Sequence, residues 1–127
     1  MPRFVVQEHR ATHLHWDFRL EVAGILKSWA IPKGPSMNPA DKRLAIQVAD
    51  HALAFGDFEG TIPAGKYGAG EVIIWDRGSY EAATDMEEGL QKGLLKFTLA
   101  GKKLQGGFTM VRFQRGETGR EWLLRKD

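Results

Sequence analysis

The segment His13–Val22, HLHWDFRLEV, alternates between ionisable and apolar side chains without a break. Successive side chains of a β-strand point to opposite faces, so the apolar residues of this segment share one face and the ionisable residues share the other. The ionisable set is His13, His15, Asp17, Arg19 and Glu21. The segment therefore predicts a strand that packs one face into a hydrophobic core and carries five ionisable groups on the other.

Histidines are concentrated in and just before this strand. Three of the four histidines of the chain, His9, His13 and His15, fall within seven residues. An amphipathic strand whose polar face meets water is the simpler interpretation, but such faces usually carry Thr, Lys and Glu. Histidines clustered beside a carboxylate are typical of metal ligands.

The spacing suggests which residues hold the metal. His15 and Asp17 lie about 7 Å apart on one strand face, so their side chains can converge on one ion. The interval 10–12 is long enough for a turn that brings His9 back beside His15. Two imidazoles and a carboxylate suit Mn²⁺, Zn²⁺ or Fe²⁺. We therefore expect a metal site of His9, His15 and Asp17, with His13 exposed or in a supporting position.

Arg19 projects from the same face as these ligands. A guanidinium beside a divalent cation is favourable when an anion lies between them, and Arg matches phosphate by bidentate contact. The alternative is an ordinary surface ion pair of Arg19 with Asp17 or Glu21. Lys33, in a turn bounded by prolines, and Arg43, at the head of a predicted strand, strengthen the phosphate interpretation.

The fourth histidine, His51, lies where a predicted strand enters a loop. Beside a metal and a phosphate it is a candidate acid or a contact to a phosphate oxygen, because imidazole changes charge near neutral pH. With His15 and Asp17 it would instead complete the facial triad of a non-haem Fe(II) oxygenase, which is a second functional hypothesis.

Period-two alternation between Gly- and Pro-containing turns continues along the chain. Strands are predicted near residues 3–8, 14–22, 25–31, 43–50, 71–77, 79–83, 94–100, 104–113 and 120–126, with turns at 77–78 and 116–119 among others. One helix is predicted at 85–93, with Thr84 or Asp85 as N-cap and Gly93 as C-cap. We expect an all-β, mainly antiparallel single domain over 1–127, a compact β-barrel or sandwich with one short helix and four core tryptophans.

Composition excludes several classes of protein. The 127 residues carry 18 Lys and Arg against 16 Asp and Glu, a net charge of +2 that is low for a protein that wraps DNA. The absence of cysteine excludes disulfide frameworks, iron–sulfur ligation and thiol catalysis. No stretch approaches the roughly 20 apolar residues of a membrane span, and no signal peptide is evident, so a cytoplasmic location is expected.

The charges are unevenly distributed. Residues 50–90 hold nine acidic and two basic residues, whereas residues 91–127 hold nine basic and three acidic ones. The simpler interpretation is a solvated surface. The functional interpretation is a basic surface for a polyanion, which supports a third hypothesis, a non-catalytic barrel that binds nucleic-acid ends. The glycine-rich segment 65–70 leads into a strand, so we interpret it as a turn and not a phosphate-binding loop.

Seven short sequence motifs occur in order along much of the chain. They are FVVQ-x-H at 4–9, LH-x-DFRLE at 14–21, WA-x-PKGPS at 29–36, KRLA at 42–45, DH at 50–51, GDFEGTIP at 56–63 and YGAG at 67–70. Together they resemble the 3′-phosphoesterase domain found in bacterial DNA ligase D and in stand-alone bacterial and archaeal proteins. The resemblance implies a β-barrel that removes a 3′-terminal ribonucleoside, and then the exposed 3′-phosphate, to leave a 3′-OH.

The resemblance also implies roles for particular residues and partners. Mn²⁺ is the implied metal, with Zn²⁺ or Co²⁺ as other candidates, and DNA or RNA–DNA 3′ ends are the implied substrates. A DNA ligase and a polymerase of an end-joining pathway are implied partners of a monomer. The implied metal ligands are His9, His15 and Asp17, the phosphate contacts are Arg19, Lys33, Arg43 and His51, and Gln7 and Phe55 are in supporting positions.

The chain departs from the family pattern in two places. Family members commonly have Tyr four residues after the histidine that corresponds to His51, and here that residue is Phe55. One hydroxyl contact is therefore absent, and weak activity is expected. Longer members also carry a polar segment before FVVQ that contributes to activity on ribonucleotide ends, so we expect the phosphomonoester step to be the more dependable one.

Overall fold

The structure, a computed structural model, describes residues 1–113 and 118–127, so the turn predicted at 116–119 lies partly outside the described residues. The strands are β1 (Arg3–Arg10), β2 (Leu14–Val22), β3 (Ile25–Ile31), β4 (Arg43–Ala52), β5 (Gly60–Ile62), β6 (Gly70–Ala82), β7 (Leu94–Ala100), β8 (Gln105–Arg112) and β9 (Glu121–Lys126). A 3₁₀ helix spans Leu53–Asp57, and α1 spans Met86–Lys92.

Eight strands close into an antiparallel barrel. Around the barrel the order is β1, β2, β3, β4, β9, β8, β7 and β6, and β6 pairs back onto β1. The short strand β5 pairs with the start of β6 outside this ring. The expected all-β architecture with one short helix is confirmed, and the barrel is the correct choice over the sandwich.

The barrel interior is filled by the apolar faces that the alternation predicts. Phe18 and Leu20 of β2 are fully buried there, and Trp29 packs edge-on against Trp122 with ring centroids 5.7 Å apart. Trp16 and Trp75 are only partly buried against this core. Burial of these large side chains is the main contribution to the stability of the barrel.

Three details differ from the sequence prediction. The strands expected at 71–77 and 79–83 form one strand, β6, because Gly78 is not a turn residue. A Cβ at Gly78 would lie 2.1 Å from the Ala100 carbonyl oxygen, so this glycine permits close approach of two strands. The three-residue strand β5 and the 3₁₀ helix after β4 were not predicted, since each is too short to show a hydrophobic period.

The predicted α-helix is confirmed together with its caps. Asp85 is the N-cap and accepts a hydrogen bond from the Glu88 backbone N–H at 3.0 Å, and Gly93 ends the helix with a φ of 83°. Within the described residues, no helix is long and apolar enough to cross a membrane.

A second layer covers part of the outer surface of the barrel. Residues 53–69 run across the outer face of β1 to β3, where the Arg3 side chain bonds to the Leu53 carbonyl and to Asp57. Val5 and Leu26 are buried under this segment, although neither belongs to the barrel core. The ionisable face of β2 therefore lies partly beneath a covering segment instead of facing open water.

Candidate active site

A cavity of about 600 Å³ opens on the outer face of the barrel, at the edge of this covering segment. Strands β1, β2, β3, β4 and β6 contribute its floor, and residues 55–69 contribute its walls. Its ionisable lining residues in the described part of the chain are His9, His15, Asp17, Arg19, His51 and Tyr67.

Three of these side chains converge at one point. His9 and His15 are directly paired across β1 and β2, and their facing nitrogens, Nδ1 and Nε2, lie 3.2 Å apart. The Asp17 carboxylate lies 3.4 Å from His9 Nδ1 and 3.2 Å from His15 Nε2. Hence the three residues that the spacing predicted as metal ligands form one cluster, with one ligand atom from each within 4.8 Å of the others.

Backbone carbonyls orient both imidazoles of the cluster. His9 Nε2 lies 2.9 Å and 3.1 Å from the carbonyl oxygens of Gly68 and Ala69, and His15 Nδ1 lies 3.1 Å from that of His13. A carbonyl only accepts hydrogen bonds, so each of these nitrogens carries the proton. In the neutral rings, the nitrogens that face each other therefore present lone pairs, the arrangement that metal-binding histidines need.

Neighbouring charges keep the carboxylate of the cluster ionised. Burial by itself raises the pKa of Asp17, but the His15 hydrogen bond and the Arg19 charge outweigh it, so the pKa lies below its usual value. The same hydrogen bond to Asp17 raises the pKa of His15, against the opposing effect of burial. The cluster thus either shares a proton between His15 Nε2 and Asp17 or, once that proton is lost, directs a carboxylate and two imidazole lone pairs at one another.

Arg19 is buried beside the cluster, with 2% of its surface exposed. Its Nε donates to Gln7 Oε1 at 2.6 Å, and its Nη1 donates to Ser28 Oγ at 2.8 Å. Nη2 lies 3.4 Å from Asp17 Oδ2. Arg19 is therefore a fixed cation at the cavity floor and not half of a surface ion pair.

Gln7 connects Arg19 to the covering segment. This side chain is fully buried, and its Nε2 donates to the carbonyls of Phe55 and Phe58 at 2.8 and 3.1 Å while Oε1 accepts from Arg19. Both polar atoms of the amide are therefore hydrogen-bonded: Nε2 to the covering segment and Oε1 to Arg19. Gln7 thus connects Arg19 to the covering segment, and its supporting role in catalysis stays a prediction.

His51 reaches the cavity because of a β-bulge. Leu26 pairs with His51 and Ser28 pairs with Val48, so β4 contains one more residue than β3 between these pairs. The extra residue reverses the alternation and brings both Val48 and His51 to the cavity. Simple alternation along β4 does not predict this placement.

Arg19 and His51 are in contact. Arg19 Nη1 lies 3.1 Å from His51 Nδ1, which also lies 3.0 Å from the Ala49 carbonyl, so Nδ1 either accepts from Arg19 or donates to Ala49. Burial, and then the Arg19 charge, lower the pKa of His51, so the ring is neutral near neutral pH.

Phe55, the residue that departs from the family pattern, lines the cavity from the 3₁₀ helix. Its ring centroid lies 4.8 Å from that of His51, and the Arg19 Cζ lies 5.0 Å from it. The Phe58 ring stacks behind it at 5.3 Å. Phe55 is half-buried, so its ring faces the site and does not belong to the barrel core.

The structure does not bring the remaining predicted residues into this cavity. Among the described residues, Lys33 is an exposed cation of the turn after β3, and Arg43 begins β4 with Nη2 3.5 Å from Asp41 Oδ2. The buried Nε of Arg43 has no partner among the described residues. The phosphate roles of Lys33 and Arg43 stay predictions. The His13 side chain is exposed, and only its carbonyl supports the cluster.

The geometry also separates the two metal hypotheses. The oxygenase triad requires His51 beside His15 and Asp17, but in the described structure His9 is the third member of the cluster and His51 contacts Arg19 instead. The turn after β1 places His9 directly opposite His15, so His9 is the histidine that completes the cluster.

Sequence reasoning missed two contributors to the site. Ser28 holds Arg19 from β3, and its only sequence signal is its place opposite Arg19 in the strand register. The carbonyls of Gly68 and Ala69, which orient His9, lie in the glycine-rich segment that was correctly predicted to be a turn. Every residue has a backbone carbonyl, so the residue type does not show which carbonyls contact the site.

Fold and site together define a class: a small closed barrel that carries a two-histidine, one-carboxylate cluster and a buried arginine on its outer face. The family model of the DNA Ligase D 3′-phosphoesterase domain matches residues 7–112 of the chain. The chain belongs to this family.

Known relatives agree with this membership. Over 98% of its length, the chain is 54% identical to the multifunctional non-homologous end joining protein LigD of Pseudomonas aeruginosa. It is 42% identical over 94% of its length to the multifunctional non-homologous end joining DNA repair protein LigD of Mycobacterium tuberculosis. The chain spans about 15% of the length of these relatives.

Proposed function

We propose that this chain is a metal-dependent phosphoesterase that processes the 3′ ends of DNA. The reaction is removal of a 3′-phosphate, and of a 3′-terminal ribonucleoside, to leave a 3′-OH for repair. The family of 3′-phosphoesterase domains and the end-joining names of its relatives support the reaction class and the DNA substrate. A ligase and a polymerase that act on the same ends are the proposed partners.

The observation that carries this proposal is the convergence of His9, His15 and Asp17. Two atoms that bind one transition-metal ion at about 2.1 Å lie about 3 to 3.4 Å apart at the angles such ions prefer. His9 Nδ1 and His15 Nε2 lie 3.2 Å apart, Asp17 Oδ2 lies 3.4 Å from the first nitrogen, and Asp17 Oδ1 lies 3.2 Å from the second. Both carboxylate oxygens thus face the two nitrogens, and this donor set fits a divalent cation, for which Mn²⁺ is the proposed choice and Zn²⁺ or Co²⁺ are alternatives.

When bound there, a divalent ion supplies a Lewis acid for a phosphoryl oxygen and lowers the pKa of coordinated water. The contribution of the chain itself is a fixed positive field. Arg19 already has its partners Gln7 and Ser28, so it does not need to reorganise when a phosphate arrives. Asp17 is the only acidic residue among the described lining residues, so the site does not repel a dianion once a cation is bound.

His51 is proposed to contact a phosphate oxygen. When its Nδ1 accepts from Arg19, the proton of the neutral ring resides on Nε2, which is then a donor. The neutral His51 ring can then donate a hydrogen bond from Nε2 to a phosphate oxygen on which negative charge develops, and no second cation has to be buried beside Arg19. Lys33 and Arg43 are proposed as further phosphate contacts that engage when the DNA end is bound.

A gel assay that follows the 3′ end of a primer tests the reaction. Primers that end in a 3′-phosphate or a 3′-ribonucleotide are incubated with the protein after exhaustive chelation and after addition of single divalent metals. We expect conversion to the 3′-OH with Mn²⁺ and none after chelation. Tight binding of the primers without any processing, unchanged when all three ligands are replaced by Ala, would instead identify a non-catalytic end-binding barrel.

A further inference from the structure

We propose that the turn between β5 and β6 presents Tyr67 as a stacking platform for the terminal nucleobase of the bound DNA end. This subsite rests on the proposed function and specifies how the same cavity recognises its substrate. The proposal is based on three neighbouring features: the exposed Tyr67 ring, the apolar part of the cavity lining, and the cluster of His9, His15 and Asp17. The turn that carries Tyr67 also contacts His9.

Tyr67 is unusually exposed for a residue in an ordered position. After Met1, it is the most exposed large apolar side chain in the described part of the chain, at 78%, yet it lines the cavity. A ring left in water contributes little to folding. An exposed aromatic side chain at the mouth of a binding cavity is the kind of group that a flat ligand covers.

The position of the turn is fixed relative to the cluster. Its backbone closes through two bonds, from Lys66 N–H to the Pro63 carbonyl at 3.2 Å and from Ala69 N–H to the Lys66 carbonyl at 3.1 Å. The two residues after Tyr67, Gly68 and Ala69, supply the carbonyls that orient His9. The backbone of Tyr67 is thus directly joined to the carbonyls that contact the proposed metal ligand His9.

A second contact holds the turn against the end of β1. Gly70 has a φ of 125°, and a Cβ there would lie 2.4 Å from the Arg10 carbonyl oxygen. Only glycine permits this approach. The turn therefore packs directly against the end of the strand that carries His9.

The charged groups and the exposed ring line different parts of the cavity. The strand order β6, β1, β2, β3, β4 places Arg19 and His51 towards β4, and Val72 and the turn towards β6. The β6 part is apolar, because Ile62 and Ala11 line it beside Tyr67, whereas the β4 part combines the charged groups with the apolar Ala30, Val48 and Phe55. A terminal nucleotide has a group for each part, because its phosphate is charged and its base is flat and apolar on both faces.

Stacking on an aromatic ring tolerates every base, because each base has a π face. This tolerance suits an end-processing enzyme, since broken ends differ in sequence. We therefore expect recognition of the presence of a base and little preference among the four bases.

The test compares two primers that carry a 3′-phosphate, one with a normal terminal nucleotide and one whose terminal residue is an abasic tetrahydrofuran. The wild-type chain is expected to show about ten- to a hundredfold higher kcat/KM on the normal end, mainly through KM. Tyr67→Ala should lose this preference by losing activity on the normal end alone. Tyr67→Phe should keep it, because the ring stays and only the hydroxyl is removed.

Phe113→Ala is the matched control, because Phe113 is also an exposed aromatic residue and does not line the cavity. It should retain the preference. The subsite is rejected if Tyr67→Ala keeps the preference, or if it loses activity equally on both primers, since the turn would then act only by holding His9. A wild-type chain that processes neither primer would reject the proposed function itself.

Discussion

Arg19 shows why the environment of a residue decides its role. Its position on the ionisable face of β2 follows from alternation, but a surface ion pair and a phosphate contact were both consistent with the sequence. The structure excludes the surface ion pair, because Gln7 and Ser28 bind the guanidinium in a buried position, and the phosphate contact stays a prediction. A buried guanidinium with fixed partners is expensive to desolvate, and an anionic substrate offers the compensating interaction.

Phe55 provides the first prediction at the residue scale. Phe55→Tyr adds a hydroxyl to a ring that lines the cavity beside His51 and Arg19. A hydrogen bond to a charged group contributes about 1.5–3 kcal/mol, so kcat for 3′-phosphate removal should rise by on the order of tenfold or more. The melting temperature should change little, because the ring is only half-buried.

Phe58→Tyr is the control for this gain, since Phe58 stacks on Phe55 and does not line the cavity in the described structure. It should leave kcat unchanged. A lower melting temperature in Phe55→Tyr without a gain in kcat would mean that the new hydroxyl is buried and unsatisfied.

Gln7 provides the second prediction. Gln7→Ala removes the acceptor of Arg19 Nε and leaves the Phe55 and Phe58 carbonyls without their donor. Urea unfolding should show a loss of about 2–4 kcal/mol, and kcat should fall because Arg19 is no longer held. Gln105→Ala removes an exposed side-chain bond to Gly101 and should change stability by less than about 0.5 kcal/mol. Equal stability of the two variants would contradict the positioning role of Gln7.

At the scale of elements, the sequence predicts the strands that close the barrel better than the segments that complete the site. The predicted bounds of β2, β3 and β7 match the observed ones, and β2 and β7 show a clear period of two over seven or more residues. The bulge in β4, the 3₁₀ helix and β5 have no such period. These are the elements that place His51, Phe55 and the covering segment.

The cluster of His9, His15 and Asp17 was predictable because its members are close in sequence. His9, His15 and Asp17 belong to two adjacent strands joined by a short turn, so spacing alone brings them together. Their supporting groups come from Ser28 and from residues 55–69, far along the chain. No local pattern reveals contacts that depend on where a distant segment returns to the barrel.

Tyr80 gives a pH prediction for the contact between β6 and β2. Its hydroxyl donates to the Glu21 carbonyl at 2.7 Å, and burial, together with the Glu21 charge, raises the pKa of Tyr80 to about 12. The pKa in the unfolded chain is about 10. Because the unfolded chain releases this proton first, the stability that the neutral phenol provides is complete below pH 10 and declines between pH 10 and 12.

Urea unfolding of the wild type and Tyr80→Phe at several pH values checks this prediction. Below pH 10 the wild type should be more stable by about 1 kcal/mol, because Phe lacks the hydrogen bond. Towards pH 12 the difference should disappear or change sign, since Phe has no proton to lose. A constant difference from pH 7 to 12 would contradict the raised pKa.

At the scale of the whole molecule, the basic C-terminal third is the candidate surface for the DNA strand. Not every cation there is available, since Arg112 donates to the Leu90 and Gln91 carbonyls at the end of α1. Lys103 is exposed, with its Nζ 4.4 Å from the Trp75 ring centroid. Lys102 is exposed in the turn between β7 and β8, where its backbone N–H is held by Asp76.

Charge reversal in this turn tests the proposed DNA surface. Lys102→Glu, alone and with Lys103→Glu, should raise KM for long 3′-phosphate primers and reduce its dependence on salt, because fewer phosphates are neutralised. A mononucleotide 3′-phosphate should be hydrolysed as by the wild type. An equal loss on both substrates would show that the lysines act through folding.

The central claim is that His9, His15 and Asp17 hold a divalent cation on which 3′-phosphate removal depends. Calorimetric titration with Mn²⁺, paired with the gel assay on one protein preparation, tests it most directly. The wild type should bind one ion per chain, and His15→Ala should bind it at least about tenfold more weakly and lose phosphatase activity in parallel. His13→Ala, which alters an exposed neighbouring histidine, should behave like the wild type. Full activity in His15→Ala, or in the wild type after exhaustive chelation, would contradict the account.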